Sequence, residues 1–193
     1  MSLLRVNHLL LLTFFNDQDY NSFIMKTCLY FFSFSLYLTV NIFFFNDSTI
    51  HKIYEDEGKF NFIYQIPQIL YSTFISSTIL FLIKYFSLFQ KDILKIKYEK
   101  KNIKERFIDV MKCINKKYLY FFLFTIIFLI FFWYYLSCFC AVYINTQIHI
   151  ICDTFISFGL SLLYPFILSS LRKISLNNKE KKRKFLYKIS QLI

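Results

Sequence analysis

The feature that most constrains this chain is an uninterrupted apolar stretch, Tyr118–Val142, in which no charged residue occurs. A helix over this stretch is longer than the roughly 30 Å hydrocarbon core of a bilayer, because each helical residue adds about 1.5 Å. Phe, Leu and Ile residues dominate its centre, and each favours insertion by about 0.3–0.6 kcal/mol. The stretch therefore predicts a transmembrane helix and disfavours the alternative, a buried helix of a large soluble domain.

Three further apolar stretches of similar length accompany it, in a chain whose residues are 56% hydrophobic. Together they predict an all-α, polytopic integral membrane protein with four transmembrane helices. The expected spans are 22–45, 66–89, 118–142 and 148–171, forming a transmembrane domain over 22–171. Residues 1–21 and 172–193 form an N-terminal segment and a basic tail. Because only Tyr143–Gln147 separates the last two spans, we expect them to be antiparallel neighbours.

The charges between the spans predict the topology. The first loop, Asn46–Gln65, holds four acidic residues against two lysines, whereas the second, Gln90–Lys117, holds ten basic residues against four acidic ones. The tail, Arg172–Ile193, holds eight basic residues and one glutamate. Basic connections favour the cytoplasmic side. We therefore expect both termini to be cytoplasmic, in a multi-pass protein of the plasma membrane or of an endomembrane.

Two basic clusters, Lys91–Lys117 and Lys179–Lys188, predict contact with anionic lipid headgroups. Within the first, apolar residues recur at helical spacing and predict an amphipathic helix. Such a helix would lie on the membrane surface or belong to a solvated hairpin, and both alternatives stay open. The net charge of +11 also suits nucleic acid, but the basic residues lie beside apolar spans, so we expect no nucleic-acid partner. The apolar stripe comprises Ile103, Phe107, Val110, Met111 and Ile114.

Small residues four positions apart mark two helix faces, Ser72 with Ser76 and Ser157 with Ser161. Small side chains let transmembrane helices approach closely. We expect these serines to mediate packing within the domain, with other membrane helices, or in self-association.

Cys140 and Cys152 are expected at similar depth near the ends of the last two spans, on the non-cytoplasmic side. An oxidising compartment and a close helix crossing would allow a disulfide between them. The preferred alternative is that both are small, buried thiols.

Asp153 is the only acidic residue inside an expected span, and His149 precedes it by one helical turn. Ionisable groups inside membranes indicate function by default. The preferred interpretation is that Asp153 caps its helix or is hydrated at the interface, with His149 as a partner on the same face. The alternative is an ion or proton path lined by both residues.

Asn46 begins the tripeptide Asn46-Asp47-Ser48, a formal N-glycosylation sequon whose closeness to the first span disfavours modification. His51 and the acidic residues Glu55–Glu57 lack the spacing of a calcium loop, so a solvated acidic surface is expected there. No catalytic motif occurs, and we predict no cofactor, no metal site and no enzymatic activity.

The stretches Ser48–Ser77 and Cys138–Phe166 resemble the C-terminal multi-span membrane region of large transmembrane proteins of protists, an uncharacterised family. The final residues, FLYKISQLI, are similar to that family's terminus. The resemblance implies four or more helices that close a protein with a much longer extracellular part. It ends after Leu171, where RKISLNNKE replaces the family's connector, and it implies no activity.

These patterns favour an integral membrane domain that anchors or assembles. The alternative is a subunit of a channel or transporter that uses Asp153 and His149. The third hypothesis, a soluble nucleic-acid binder, is disfavoured by the apolar spans.

Overall fold

The computed structural model describes residues 21–88 and 103–161, together with Ile93, Leu163 and Ser170. The predicted N-terminal segment and basic tail lie outside the described residues. So do most of the second loop before Ile103 and most of the predicted fourth span after Ser161.

The described ranges are helical and contain no β-strand. Within these ranges five α-helices follow one another, with a short 3-10 turn at Ile144–Thr146 before the last. The helices are α1 (Phe23–Phe43), α2 (Asp47–Glu55), α3 (Phe62–Ser87), α4 (Ile103–Val142) and α5 (Gln147–Leu160).

In the part of the chain that the structure describes, three segments are long and apolar enough to cross a membrane: α1, Phe62–Lys84 of α3, and Phe107–Val142 of α4. The prediction of an all-α fold is confirmed for the described residues, which include helices compatible with membrane spans. The described part of α5 has 14 residues. It is therefore about 21 Å long, which is shorter than the roughly 30 Å bilayer core.

The bundle is built around α1, the most buried of the three candidate spans. α1 packs against α3, α4 and α5, and α3 packs against both α4 and α5. α4 and α5 therefore flank the α1–α3 pair. The main neighbours of α5 are α1 and α3, and Ile150 of α5 also shares a buried cluster with Leu136 and Phe139 of α4. The expectation that the third and fourth spans are antiparallel neighbours stays a prediction.

Aromatic rings fill the two sides of α1. Towards α4, Phe32 lies 5.7 Å from Phe132 between ring centroids. Towards α5, Phe158 makes edge-on contacts with Tyr30 and Tyr37, at 6.0 Å and 5.5 Å. Such pairs add about 0.5–1.5 kcal/mol beyond the area that they bury. The aromatic residues of α1 thus have a structural role in joining three helices.

α4 is one continuous helix of 40 residues, and it starts well before the predicted span boundary at Tyr118. It contains neither proline nor glycine, the residues that most often end a helix. At about 1.5 Å per residue it is about 60 Å long, twice the thickness of the bilayer core. The amphipathic stripe and the apolar stretch therefore share one helix, and Ile114 and Phe121 belong to one buried cluster.

The first loop contains a helix of its own. Asn46 Oδ1 caps α2 by accepting from the Thr49 amide at 2.8 Å, and Gly58 follows α2 with a φ of 77° that glycine adopts without strain. Asn61 Oδ1 then caps α3 by accepting from the Tyr64 amide at 3.3 Å. Because of this cap, α3 begins four residues before the predicted boundary at Ile66.

Candidate functional site: a buried polar interface

Polar side chains line one face of α3 and one face of α5. On α3, Gln65, Gln68 and Ser72 are three and four positions apart; on α5, His149, Asp153 and Ser157 are four apart. Residues at these spacings lie above one another on one side of a helix. The two faces meet, and we call the six residues the polar interface.

The polar interface consists of three side-chain pairs. Gln65 Nε2 lies 2.8 Å from His149 Nδ1. Gln68 Nε2 donates to Asp153 Oδ2 at 3.0 Å. The hydroxyl oxygens of Ser72 and Ser157 are 3.2 Å apart. Residue numbers increase together along both helices, so α3 and α5 run parallel.

Asn41 of α1 joins the polar interface from a third helix. Its Oδ1 accepts from the hydroxyls of Ser72 and Ser157, the latter at 3.3 Å. Its Nδ2 donates to Thr154 Oγ1 at 3.4 Å and to the Tyr37 carbonyl at 2.9 Å. A single amide therefore connects α1, α3 and α5.

All of these side chains are removed from the molecular surface. Asp153 is 0% exposed, His149 1%, Gln65 2% and Gln68 8%. Buried polar groups cost free energy unless they are hydrogen-bonded. Hydrogen bonds between the helices pair most of the polar atoms of these side chains.

The hydrogen bonds of His149 define its tautomer. The Gly58 carbonyl can only accept, so His149 Nε2, 3.1 Å away, carries the proton and donates to it. Nδ1 is then an acceptor for Gln65 Nε2. His149 is thus a neutral imidazole that ties the first loop to α5, with the Phe60 ring against it at 5.6 Å.

The preferred interpretation of Asp153 is wrong. α5 begins at Gln147 and no side chain caps it, so Asp153 lies in the second turn, where a capping bond cannot form. The residue is fully buried rather than hydrated. Nor does the structure pair Asp153 with His149, because each of them pairs with a glutamine of α3.

Three oxygen atoms of the polar interface have no hydrogen-bond partner: Gln65 Oε1, Gln68 Oε1 and Asp153 Oδ1. The glutamine oxygens are acceptors, whereas the Asp153 oxygen accepts as a carboxylate and donates when it carries the proton.

The predicted packing serines have different environments. Ser72 and Ser157 are fully buried at the contact between α3 and α5. Ser76 is also buried, but its hydroxyl has no partner. Ser161 is partly exposed and donates to the Phe158 carbonyl of its own helix at 2.6 Å.

The remaining predicted sites lie away from the polar interface. Cys140 and Cys152 are free, half-buried thiols, and the disulfide between them stays a prediction. The Asn46 side chain is exposed and engaged in capping α2, and its glycosylation stays a prediction.

Sequence reasoning missed Asn41, Gln65 and Gln68. Gln65 was assigned to the first loop because its span was expected to start at Ile66. The available signal was the helical spacing of Gln65 and Gln68 with Ser72, which lines up amides and a hydroxyl on one face. No local pattern distinguishes Asn41, because its partners lie on other helices.

The described ranges contain no group of three or more His, Cys, Asp or Glu side chains that could hold a metal ion. Comparisons with protein-family models, with curated proteins and with solved structures found no match. The resemblance to a membrane region of protist proteins accordingly stays a prediction.

Proposed function

We propose that this chain is a four-span membrane domain with both termini in the cytoplasm, and that it anchors or assembles membrane proteins rather than catalysing a reaction. The observation that carries the proposal is the separation of polar groups, inside the bundle, from apolar groups on its outer surface. Polar groups of three helices face inward to one another, and the outer faces of α3 and α4 are apolar.

The fourth span is supported by the direction of α5. It runs parallel to α3, as its three paired contacts show. A chain that continues along this direction crosses the same layer as α3. The sequence stays free of charge from Thr154 to Leu171, which is enough apolar sequence for a helix to cross the bilayer core.

Anchoring or assembly is supported by the exposed face of α4. Only 17% of its most apolar window is buried within the bundle. Large aromatic and aliphatic side chains, among them Leu119, Ile130 and Trp133, are more than half exposed. An apolar surface of this extent is stable against lipid or against another membrane helix.

The basic part of α4 supports a cytoplasmic contact with anionic headgroups. Lys112 and Lys116 are exposed on the same helix that continues into the apolar stretch. Lysines close to a bilayer surface each contribute about 1 kcal/mol to binding anionic lipid. Together with the basic tail, these lysines favour placing the second loop and the tail on the same side of the membrane.

Thiol labelling in sealed vesicles tests the topology. In a chain whose only cysteine is the native, exposed Cys113, an impermeant maleimide should label from the cytoplasmic side. A Glu57→Cys variant without other cysteines should label from the opposite side, and a C-terminal tag should be cleaved only from the cytoplasmic side. Labelling of both cysteines from one side contradicts the topology, and a tag cleaved from the other side contradicts the fourth span.

A channel or transporter subunit is the second candidate. The observation in its favour is a carboxyl group, Asp153, in the bundle core with one oxygen unpartnered. Asp153→Asn separates the two candidates, because an anchoring domain keeps its membrane level and its partners, whereas a transporter loses ion flux.

A further inference from the structure

The hydrogen bond from His149 Nε2 to the Gly58 carbonyl, at 3.1 Å, joins the polar interface to the first loop, and we call it the loop contact. Glu57 and Lys59, on either side of Gly58, are exposed. Glu57 also has a left-handed φ of 53°, which is disfavoured for residues other than glycine. A segment with so few buried groups opens locally at a low cost in free energy, so its position depends on contacts such as this one.

The hydrogen bonds of His149 suit only a neutral imidazole. Nδ1 accepts from Gln65 Nε2 at 2.8 Å, so a proton on Nδ1 would place one N–H donor against another. The proton would also bring a positive charge onto a ring that is 1% exposed. Burial of an ion costs far more than burial of a neutral polar group. Protonation of His149 therefore opposes the closed position of the loop.

The described parts of the helices bring no charge against the His149 ring. The charged residues of α1 and α3 are Lys26 and Lys84, at the helix ends remote from the loop contact. On α5, Asp153 lies one turn further along and bonds to Gln68, so it does not pair with His149 in either protonation state. The titratable residues of the helices and turns at this end of the bundle are neutral at and below pH of about 7: Tyr64, Tyr135, Cys140, Tyr143 and Cys152.

The first loop compensates a charge on His149 only weakly. Asp56 acts on His149 electrostatically, but Lys52 pairs with Asp56 at 3.5 Å between Nζ and Oδ1. The Phe60 ring lies 5.6 Å from the imidazole between centroids, close to the limit of about 6 Å for a cation–π contact. Hydration of an imidazolium outweighs these two attractions. The other charged or titratable residues of this loop are exposed: His51, Tyr54, Glu55, Glu57 and Lys59.

We propose that the loop contact is a pH-sensitive switch, in which a proton taken from water at His149 Nδ1 releases the segment around Gly58 from α5. A solvated imidazole takes up a proton near a pH of about 6.5. The contact is therefore fully formed above this pH and weakens as the pH falls below it, by up to about tenfold per pH unit. The switch belongs to the folded bundle and does not depend on topology. On the proposed topology, it would respond to acid on the non-cytoplasmic side.

Hydrogen exchange of backbone amides in the purified full chain tests the switch. The Gly58 amide bonds to the Ile53 carbonyl at 2.9 Å, and the Lys59 amide bonds to the Asp56 carbonyl at 3.0 Å. After division by the intrinsic exchange rates, the protection of both amides should fall by about tenfold between pH of about 7.5 and about 5. Equal protection at the two pH values overturns the proposal. That result is expected if the Gln65 amide turns its unpartnered Oε1 towards a protonated Nδ1.

His149→Gln identifies the titrating group, because a glutamine amide can donate to the Gly58 carbonyl but does not titrate. This variant should show the same protection at both pH values. The matched control is His51→Gln, which changes an exposed histidine of α2 and should keep the response to acid. A response that persists in His149→Gln, or that is lost in His51→Gln, overturns the assignment.

Nitrogen NMR of the histidine rings decides the question if His149→Gln does not fold. In the unmodified chain, His149 should change from the neutral form with a proton on Nε2 to the imidazolium over the same pH range in which the Gly58 amide loses protection. A His149 ring that stays neutral while protection falls overturns the proposal, because another group would then be responsible.

Discussion

At the scale of single residues, the Asn41 side chain contacts three residues of two other helices. Ser72 and Ser157 each contact two such residues. Asn41 accepts from Ser72 and Ser157 and donates to Thr154, so its partners belong to two other helices. Hydrogen bonds between membrane helices average about 0.6 kcal/mol and reach about 1.7 kcal/mol. Asn41 therefore acts as the main polar link among α1, α3 and α5.

Asn41→Leu should lower the free energy of unfolding by about 1–3 kcal/mol, because it removes three such contacts at nearly constant volume. Unfolding in mixed detergent micelles measures the change. Thr78→Val is the control, since the exposed Thr78 hydroxyl bonds only to the Phe74 carbonyl of its own helix. A loss for Asn41→Leu no greater than that of the control would contradict the role of Asn41.

His149 has a different task, because its partner Gly58 belongs to the first loop. Neutral hydrogen bonds contribute about 1 kcal/mol, which corresponds to about a fivefold change in local opening. The bond also depends on the left-handed backbone at Gly58.

His149→Leu should therefore speed tryptic cleavage after Lys59 by about fivefold. The control is His51→Leu, which changes an exposed histidine of α2 and leaves the Gly58 contact intact. Equal cleavage rates in the two variants would show that His149 does not hold the loop.

At the scale of elements, the continuity of α4 is the main departure from the expected organisation. The basic, amphipathic part and the apolar part were expected to meet near Tyr118, but the helix runs through this point without a break. Nothing in its sequence interrupts the backbone hydrogen bonds, and the cluster that buries Ile114 and Phe121 supports both parts.

A proline at the junction tests this continuity. Asn115→Pro should destabilise the protein by about 3 kcal/mol or more, because proline in a helix interior removes a hydrogen bond and clashes with the preceding turn. Asn115→Ala, at the same exposed position, should change the stability by less than about 0.5 kcal/mol. If the two variants unfold alike, a turn separates the surface helix from the span.

At the scale of the whole molecule, the environment of α4 must change along its length. A helix of about 60 Å cannot lie wholly within a core of roughly 30 Å if it crosses it upright. We expect the apolar half to lie within lipid and the basic half to lie beside it.

Two substitutions on this one helix compare the environments. Ile130 and Ile108 are both exposed, at 68% and 53%. Ile130→Arg should make membrane insertion of the α4 segment less favourable by about 3 kcal/mol, because it places a charge at the bilayer centre. Ile108→Arg should change the apparent insertion free energy little. An insertion assay measures both values, and similar penalties would refute this division of α4.

The sequence by itself indicates that lipid surrounds the long helices of this protein. Long charge-free stretches require helices within lipid, since only a helix satisfies its own backbone there. The charges of the connecting segments predict on which side of the membrane each one lies, and this topology remains a proposal. Helix caps were harder to predict, and so the α3 boundary was placed at Ile66 rather than Phe62.

Only the tertiary structure decided which polar groups meet. Asp153 was expected at a helix end and proved to be buried against Gln68, a residue 85 positions away. The sequence alone did not identify Asn41 and Gln65 as site residues, because the role of a single amide in an apolar stretch depends on its partner in the folded chain. Sequence periodicity places residues on a helix face, but the pairing of faces depends on how separate helices pack.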